Sequence, residues 1–163
     1  METHLRDSLA PRPESDTSFV WSDARVLGFG PMDDTHEEFY QVAFRLLSCT
    51  AEDAGEALSQ FEEHAVAHFQ QEEEWMRNSA FPPAECHISE HAAVLKSTRE
   101  VREALATRRA GVELVHDFAI FLFQWFPGHA DYLDSALAAW MSKRAYGGKP
   151  VVLRRSLGSS LAS

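Results

Sequence analysis

Histidine is the residue type that stands out in this chain. Six of the eight histidines lie between His36 and His91 or at His129, inside segments with helical patterning: His36, His64, His68, His87, His91 and His129. Neutral imidazole is the commonest protein ligand for transition metals. A single histidine at such a position is more often a hydrogen-bonded core or surface residue. A metal site is therefore indicated only if several of these side chains share inward faces of helices.

The segment around His68 meets that condition. Phe61, Ala65, His68, Glu72 and Met76 follow one another at spacings of three and four residues, so they lie on one helical face. Two members of this otherwise apolar stripe are an imidazole and a carboxylate. Burying an unpaired charge is unfavourable, and a bound metal ion removes the penalty.

The later segments continue the pattern. His87 and His91 are one helical turn apart, so both imidazoles can reach the same ion. His129 lies on the apolar stripe predicted for the last helix, and Asp134 follows five residues later. That offset is roughly 140° around an α-helix, which suits a carboxylate that bridges two ions better than one that shares an ion with His129. His36 opens the first helical segment.

Together these segments supply five imidazoles and two carboxylates, which are His36, His68, Glu72, His87, His91, His129 and Asp134. A structural zinc ion needs only four ligands. A mixed nitrogen and oxygen set of this size suits two adjacent ions bridged by the carboxylates, and iron accepts such ligands. Glu113 and His116 form the single Glu-x-x-His pair in the chain, whereas ferritin-like di-iron enzymes use two.

The apolar spacing predicts four helices, over about 34–48, 51–77 (after an N-cap at Thr50), 83–109 and 112–145. Short loops between them favour an all-α, antiparallel up-down-up-down four-helix bundle. We expect a flexible leader over 1–17, the bundle over 18–147 and a flexible basic tail over 148–163. The predicted core stripe of the last helix contains Leu114, Phe118, Phe121, Trp125, His129 and Tyr132.

The length, charge and cysteine content of the chain exclude several classes of protein. A length of 163 residues predicts one domain, and a formal charge of −10 argues against a nucleic-acid partner. Two cysteines do not make a disulfide scaffold. Neither a membrane-spanning apolar run nor a secretory signal is visible, so we expect a cytoplasmic protein. A protein partner bound through the basic tail is one hypothesis, and a merely solvated terminus is the other.

The order of these motifs resembles the hemerythrin family in its bacterial form, over residues 21–145. The stretch His-Phe-Gln-Gln-Glu-Glu-Glu-Trp-Met at 68–76 is similar to the family's H-F-x-x-E-E-x-x-M motif. The run Asp33-Asp34-Thr35-His36 is similar to the start of its first helix, and Phe81-Pro82 and Trp125 also fit.

The resemblance implies a centre of two iron ions joined by an oxo or hydroxo group. His87, His91 and His129 would hold one iron, and His36 and His68 the other. Glu72 and Asp134 would bridge both, and dioxygen would bind at an open position of the second iron. Met32, Phe69, Trp125 and Phe126 are the residues that we expect around the dioxygen pocket.

The chain departs from the family pattern at three places. His64 stands where tyrosine is frequent, which predicts a hydrogen-bond donor or proton relay beside the centre or, alternatively, a partly exposed histidine. Thr35 stands where glutamine is usual. Pro127 and Gly128 precede His129, and proline inside a helix removes a hydrogen bond and favours a kink. We expect reversible dioxygen binding, with a di-iron redox enzyme (peroxidase, oxidase or nitric-oxide handling) as the alternative.

Overall fold

The computed structural model of the chain describes residues 19–82 and 84–147, and these residues form helices and turns without a strand. The elements are a 3-10 turn at Asp23–Arg25 and the helices α1 (Gly30–Ser48), α2 (Ala54–Asn78), α3 (Ala84–Ala106), α4 (Val112–His129) and α5 (Ser135–Tyr146). A π-helical turn, Ala130–Asp134, joins α4 to α5, so that they continue one another as the fourth helix of the bundle. The predicted leader and tail, and Pro83 at the predicted start of the third helix, lie outside the described residues.

The four helical segments form a closed bundle. Helix α1 packs against α2 and α4, and α3 packs against α2 and α4. Their shared core includes Phe39, Leu46, Phe61, Leu122 and Phe126, all fully or almost fully buried. No helix in the described part of the chain is long and apolar enough to cross a membrane.

The start of the first helix lies earlier than the sequence predicted. Helix α1 begins at Gly30 and not near residue 34, because Pro31 occupies the first turn, where its missing N–H costs no hydrogen bond. The Asp33 carboxylate then accepts hydrogen bonds from the backbone N–H groups of Leu27 (2.7 Å) and Gly28 (3.0 Å). Gly28 adopts a φ of 94°, which glycine tolerates best. These contacts fix the loop that leads into α1.

The predicted start of the second helix and the predicted end of the third are also corrected. Helix α2 begins at Ala54 and not at residue 51, because residues 51–53 first form a turn. Helix α3 ends at Ala106, three residues before the predicted Arg109. Arg108 follows with a φ of 55°, a left-handed conformation that cannot continue a right-handed helix. The fourth helical segment ends as expected, at Gly147 with a left-handed φ of 67°.

The predicted core stripe of the fourth helix was partly wrong. Phe118 and His129 are buried, but Phe121 is 45% exposed and Tyr132 is 84% exposed. The buried face of α4 runs instead through Val115, Phe118, Leu122, Phe126 and His129. Helix α4 is apolar on nearly all sides, so its spacing does not single out one face. The π-helical turn then leaves Tyr132 on the solvent side.

A second, smaller core covers one end of the bundle. It contains Phe29, Met32, Met76, Phe81, Leu137 and Ala138. Ser142 in α5 donates a hydrogen bond to the carbonyl of Gly28 (3.1 Å), which ties α5 to the loop before α1. Trp140 donates to Ser79 (2.9 Å) at the end of α2. This core closes the bundle beyond the histidine level.

Candidate metal centre

The seven predicted ligand residues come together inside the bundle. Each is at most 4% exposed, and they are His36, His68, Glu72, His87, His91, His129 and Asp134. Helix α1 supplies one of them, and α2 and α3 supply two each. The remaining two come from the last residue of α4 and the last residue of the π-helical turn. Residues that are far apart along the chain therefore form one cluster in the structure.

Glu72 lies at the centre of the cluster. One carboxylate oxygen, Oε1, lies 2.8 Å from Nε2 of His68 and 3.4 Å from Nε2 of His36. The other, Oε2, lies 3.2 Å from Nε2 of both His87 and His91. The two oxygens therefore face two different sets of imidazoles.

Asp134 approaches the same cluster from the fourth helix. Its Oδ1 lies 2.7 Å from Nε2 of His87 and 3.2 Å from Nε2 of His129, and its Oδ2 lies 3.2 Å from Nε2 of His36. The predicted angular offset of roughly 140° from His129 assumed an α-helix. A π-helical turn pairs residue i with i+5, so it returns Asp134 to the face of His129.

The donor atoms divide into two overlapping groups. Glu72, His87, His91, His129 and Asp134 can offer donors within 4.8 Å of one another, and so can His36, His68 and Glu72. We call the surroundings of His87, His91 and His129 the three-histidine side, and those of His36 and His68 the two-histidine side. Glu72 belongs to both sides, and Asp134 touches His36 across the boundary.

The electrostatics of the cluster favour charged carboxylates. Burial alone would raise the pKa of Glu72, but the charge of His68 and the contacts with His36 and His87 hold it well below its ordinary value. The pKa of Asp134 is lowered by its histidine neighbours against the opposing effects of burial and of Glu72. Both groups thus remain anionic in the interior.

The pKa values of the buried histidines shift in two directions. Burial lowers the pKa of His36 and of His87, but contacts with Asp134 and Glu72 outweigh it and raise each pKa to about 9. For His91 burial prevails over Glu72, and the pKa is lowered. Without an ion, protons on His36 and His87 therefore balance the two carboxylates.

The arrangement suits metal ions better than internal hydrogen bonding. Nε2 of His87, Oε2 of Glu72 and both Asp134 oxygens are buried but lack a properly directed hydrogen bond among the described residues. Nε2 of His91 and Nε2 of His129 face each other at 3.2 Å. Five imidazole nitrogens thus converge on two carboxylates instead of donating outward. Cations placed between them would satisfy the buried donors and carboxylates together.

Aromatic rings enclose the cluster, including several that the sequence singled out. Phe69 stacks on His91 with ring centroids 4.1 Å apart, and Trp125 stacks on His129 at 4.4 Å. Phe126 packs edge-on against His36 at 4.9 Å. Met32 lies one turn before His36 and belongs to the smaller core.

Sequence reasoning did not identify four neighbours of the cluster. Phe39 stacks on Phe126 at 4.8 Å, and Trp21 lies 6.5 Å from His36. Glu73 and Glu90 approach the Nδ1 atoms of His91 and His129. Phe39 could have been found from its spacing of three residues from His36. The other three contacts depend on how separate segments pack.

His64 lies beside the two-histidine side, one turn before His68. Its ring centroid is 5.5 Å from that of His68, and its side chain is 12% exposed. Nδ1 lies 3.8 Å from Glu38, while Nε2 is buried without a hydrogen-bond partner among the described residues. Burial, together with the charges of His68 and His36, lowers the pKa of His64 to about 4. His64 is therefore neutral at pH 7.

The two histidines that were left out of the predicted site differ in their placement. His116 lies 2.8 Å from the backbone carbonyl of Cys49, at the end of the bundle where α4 begins. His4 lies outside the described residues. Helix α4 continues through Pro127 as far as His129, so the proline does not end it.

The comparison with protein families agrees with this geometry. The family model for the hemerythrin HHE cation binding domain matches residues 28–141. The chain belongs to the hemerythrin family. A bacteriohemerythrin of Ralstonia nicotianae is 33% identical over 124 residues, which cover 76% of this chain and 89% of that protein. No solved structure matches the chain. As a member of the hemerythrin family, the chain carries a cation-binding domain over most of its length.

Proposed function

We propose that this hemerythrin-family protein holds two iron ions and binds dioxygen reversibly. His87, His91 and His129 would hold one iron, His36 and His68 the other, and Glu72 and Asp134 would bridge them together with an oxo or hydroxo group. The observation that carries the proposal is the unequal division of donors around shared carboxylates, with five side chains in one group and three in the other. Because the smaller group has fewer donors, an ion held there would have a coordination position for an external ligand.

The iron pair, when bound, supplies the electrons that dioxygen takes up on binding and gives back on release. The residues of the chain supply the surroundings. Phe39 and Phe126 stack on each other and lie edge-on to His68 and His36, respectively. Their rings exclude water from the two-histidine side. A dry site slows the loss of the bound ligand to side reactions with water. Phe69 and Trp125 hold the imidazoles of His91 and His129 flat against apolar rings.

We assign His64 to this pocket as a neutral hydrogen-bond donor. Its buried Nε2 has no partner among the described residues, and it lies one helical turn from His68 on the side with fewer donors. Met32 closes the pocket from the smaller core, where it is fully buried. Both assignments are part of the proposal.

The proposal includes the antiparallel order of the helices. The ligands lie near the start of α1 and α3 but near the end of α2 and α4. Their common level in the bundle, together with the short loops between helices, supports successive helices that run in opposite directions. The contact of His116, early in α4, with Cys49, just after α1, supports the same order at the other end.

The test is an anaerobic titration of the metal-free protein with ferrous iron, followed by oxygen. We expect uptake of two irons, and a visible absorption band that appears with oxygen and disappears under vacuum over repeated cycles. Uptake of a single ion, or no preference for iron over manganese, would contradict the iron centre.

The same experiment addresses the alternative, a di-iron redox enzyme on this site. The buried His64 favours it, since a polar group beside the pocket can pass protons to a bound ligand. An immediate and irreversible change to a ferric spectrum, with peroxide consumed, would support the enzyme. The predicted partner contact through the basic tail concerns residues outside those described, and it stays a prediction.

A further inference from the structure

Glu90 makes the shortest polar contact with the outer edge of the cluster. Its Oε2 lies 2.6 Å from Nδ1 of His129, the ring nitrogen that points away from the carboxylates Glu72 and Asp134. Glu90 precedes His91 in α3, while His129 ends α4. One helix therefore supplies two of the three imidazoles on the three-histidine side and supports the third.

The other four imidazoles of the cluster lack such support. Nδ1 of His36, His68 and His87 is buried without a hydrogen-bond partner among the described residues. Nδ1 of His91 has only Glu73, at a longer distance of 3.5 Å. Among the described residues, His129 therefore has the one close carboxylate contact at an outer ring nitrogen of the cluster.

The backbone around His129 is less regular than in the rest of the fourth helix. Pro127 has no N–H to donate, and Gly128 adds conformational freedom just before it. The wider π-helical turn begins directly after it. His129 is also held through its side chain, by Glu90 at Nδ1 and by the stacked ring of Trp125.

We propose that Glu90 is a positioning residue for the three-histidine ion. Its carboxylate accepts the Nδ1–H of His129, which leaves the Nε2 lone pair directed at the ion and makes that nitrogen a stronger donor. The Glu90 side chain is 43% exposed, so its charge stays partly hydrated while it serves a buried ring. Loss of such an outer contact typically lowers metal affinity about 10- to 100-fold.

The inference rests on the proposed metal centre, and its test measures metal binding apart from oxygen. Full-length wild type, Glu90→Gln and Glu90→Ala are titrated with Co²⁺ against a competing chelator. Glu100→Gln serves as the control, since it removes a charge from the exposed Lys96–Glu100 pair of the same helix. Melting temperatures are recorded with and without Co²⁺.

We expect Glu90→Ala to weaken binding of one of the two ions about 10- to 100-fold and Glu90→Gln to weaken it less, because an amide oxygen still accepts the hydrogen bond. Glu100→Gln should bind like wild type. The melting temperature of Glu90→Ala should fall more with Co²⁺ than without it, which separates positioning of the ion from a general structural role. Wild-type affinity in Glu90→Ala, or an equal loss of melting temperature without metal, would overturn the inference alone. Failure of wild type to take up two ions would overturn the proposed function as well.

Discussion

The two sides of the cluster are built from the same kinds of ligand but have different surroundings. On the three-histidine side, Glu90 and Glu73 approach the outer nitrogens of two imidazoles, and Phe69 and Trp125 stack on their faces. The two-histidine side has fewer donors and is bounded by Phe39 and Phe126. Under the proposed function, the three-histidine side would retain its ion and the two-histidine side would admit the external ligand.

The largest effect should come from removing the residue that both sides share. Glu72→Ala deletes the carboxylate that contacts four imidazoles. We expect loss of both ions and of the rise in melting temperature on metal addition. That rise corresponds to about 2.7 kcal/mol when the ion is present at 100 times its Kd.

Metal analysis and melting curves of Glu72→Ala check this prediction. Glu74→Ala is the matched control, since Glu74 lies on the same helix and accepts a hydrogen bond from the Gln70 side chain at 3.3 Å, away from the cluster. Retention of two ions by Glu72→Ala would show that the two sides do not depend on a shared carboxylate.

The next prediction separates the two sides. His68→Leu leaves the two-histidine side with a single imidazole, so we expect the metal content to fall from two ions to one. His91→Leu leaves His87, His129 and both carboxylates around the other ion. We expect that ion to remain at saturating metal, with an affinity lowered about 10- to 100-fold or more. Metal content after gel filtration distinguishes the two variants. The same number of bound ions in both would contradict the proposed difference between the two sides.

Proton competition should affect both sides. The pKa of His36, on one side, and of His87, on the other, is raised to about 9, so both imidazoles are protonated at pH 7 in the metal-free protein. Because an ion binds only the deprotonated ring, affinity should rise with pH up to about 9 and level off above it. The slope is at most about tenfold per pH unit for each proton displaced.

Co²⁺ titrations at pH 7, 8 and 9, with proton release followed in weak buffer, measure this dependence. His116→Gln is the control, because its ring contacts Cys49 at the end where α4 begins and should not change the number of protons released. An affinity that does not change between pH 7 and 9 would contradict the assigned protonation.

The smallest effect is expected at His64. His64→Leu should retain both ions and the melting temperature but release oxygen about fivefold faster, since one hydrogen bond contributes about 1 kcal/mol. His64→Tyr keeps a donor near the same place and should restore most of the difference. Stopped-flow release rates test this, and equal rates in all three proteins would exclude His64 from the pocket.

The sequence predicted the four helical segments and brought most members of the cluster onto shared faces, because both depend on periodic spacing. His68 and Glu72 are four residues apart, and so are His87 and His91. Any α-helix places two residues with this spacing on one face. The relation between His129 and Asp134 could not be predicted in this way, since a local change of helix type decides it. Glu90 was missed because its contact joins two helices whose relative rotation is a product of packing.

The π-helical turn has a consequence for changes in chain length. Deleting a residue from an ordinary helix rotates everything beyond it by about 100°, which here would turn Leu137 and Ala138 away from the smaller core. The turn before α5 holds one residue more than an α-helical turn, and Tyr132 is one of its exposed members. Deleting Tyr132 would shorten the segment to an ordinary turn, with Asp134 still one turn from His129 and α5 in its original phase. The fourth helix therefore contains a position at which one residue can be deleted without disturbing the residues on either side.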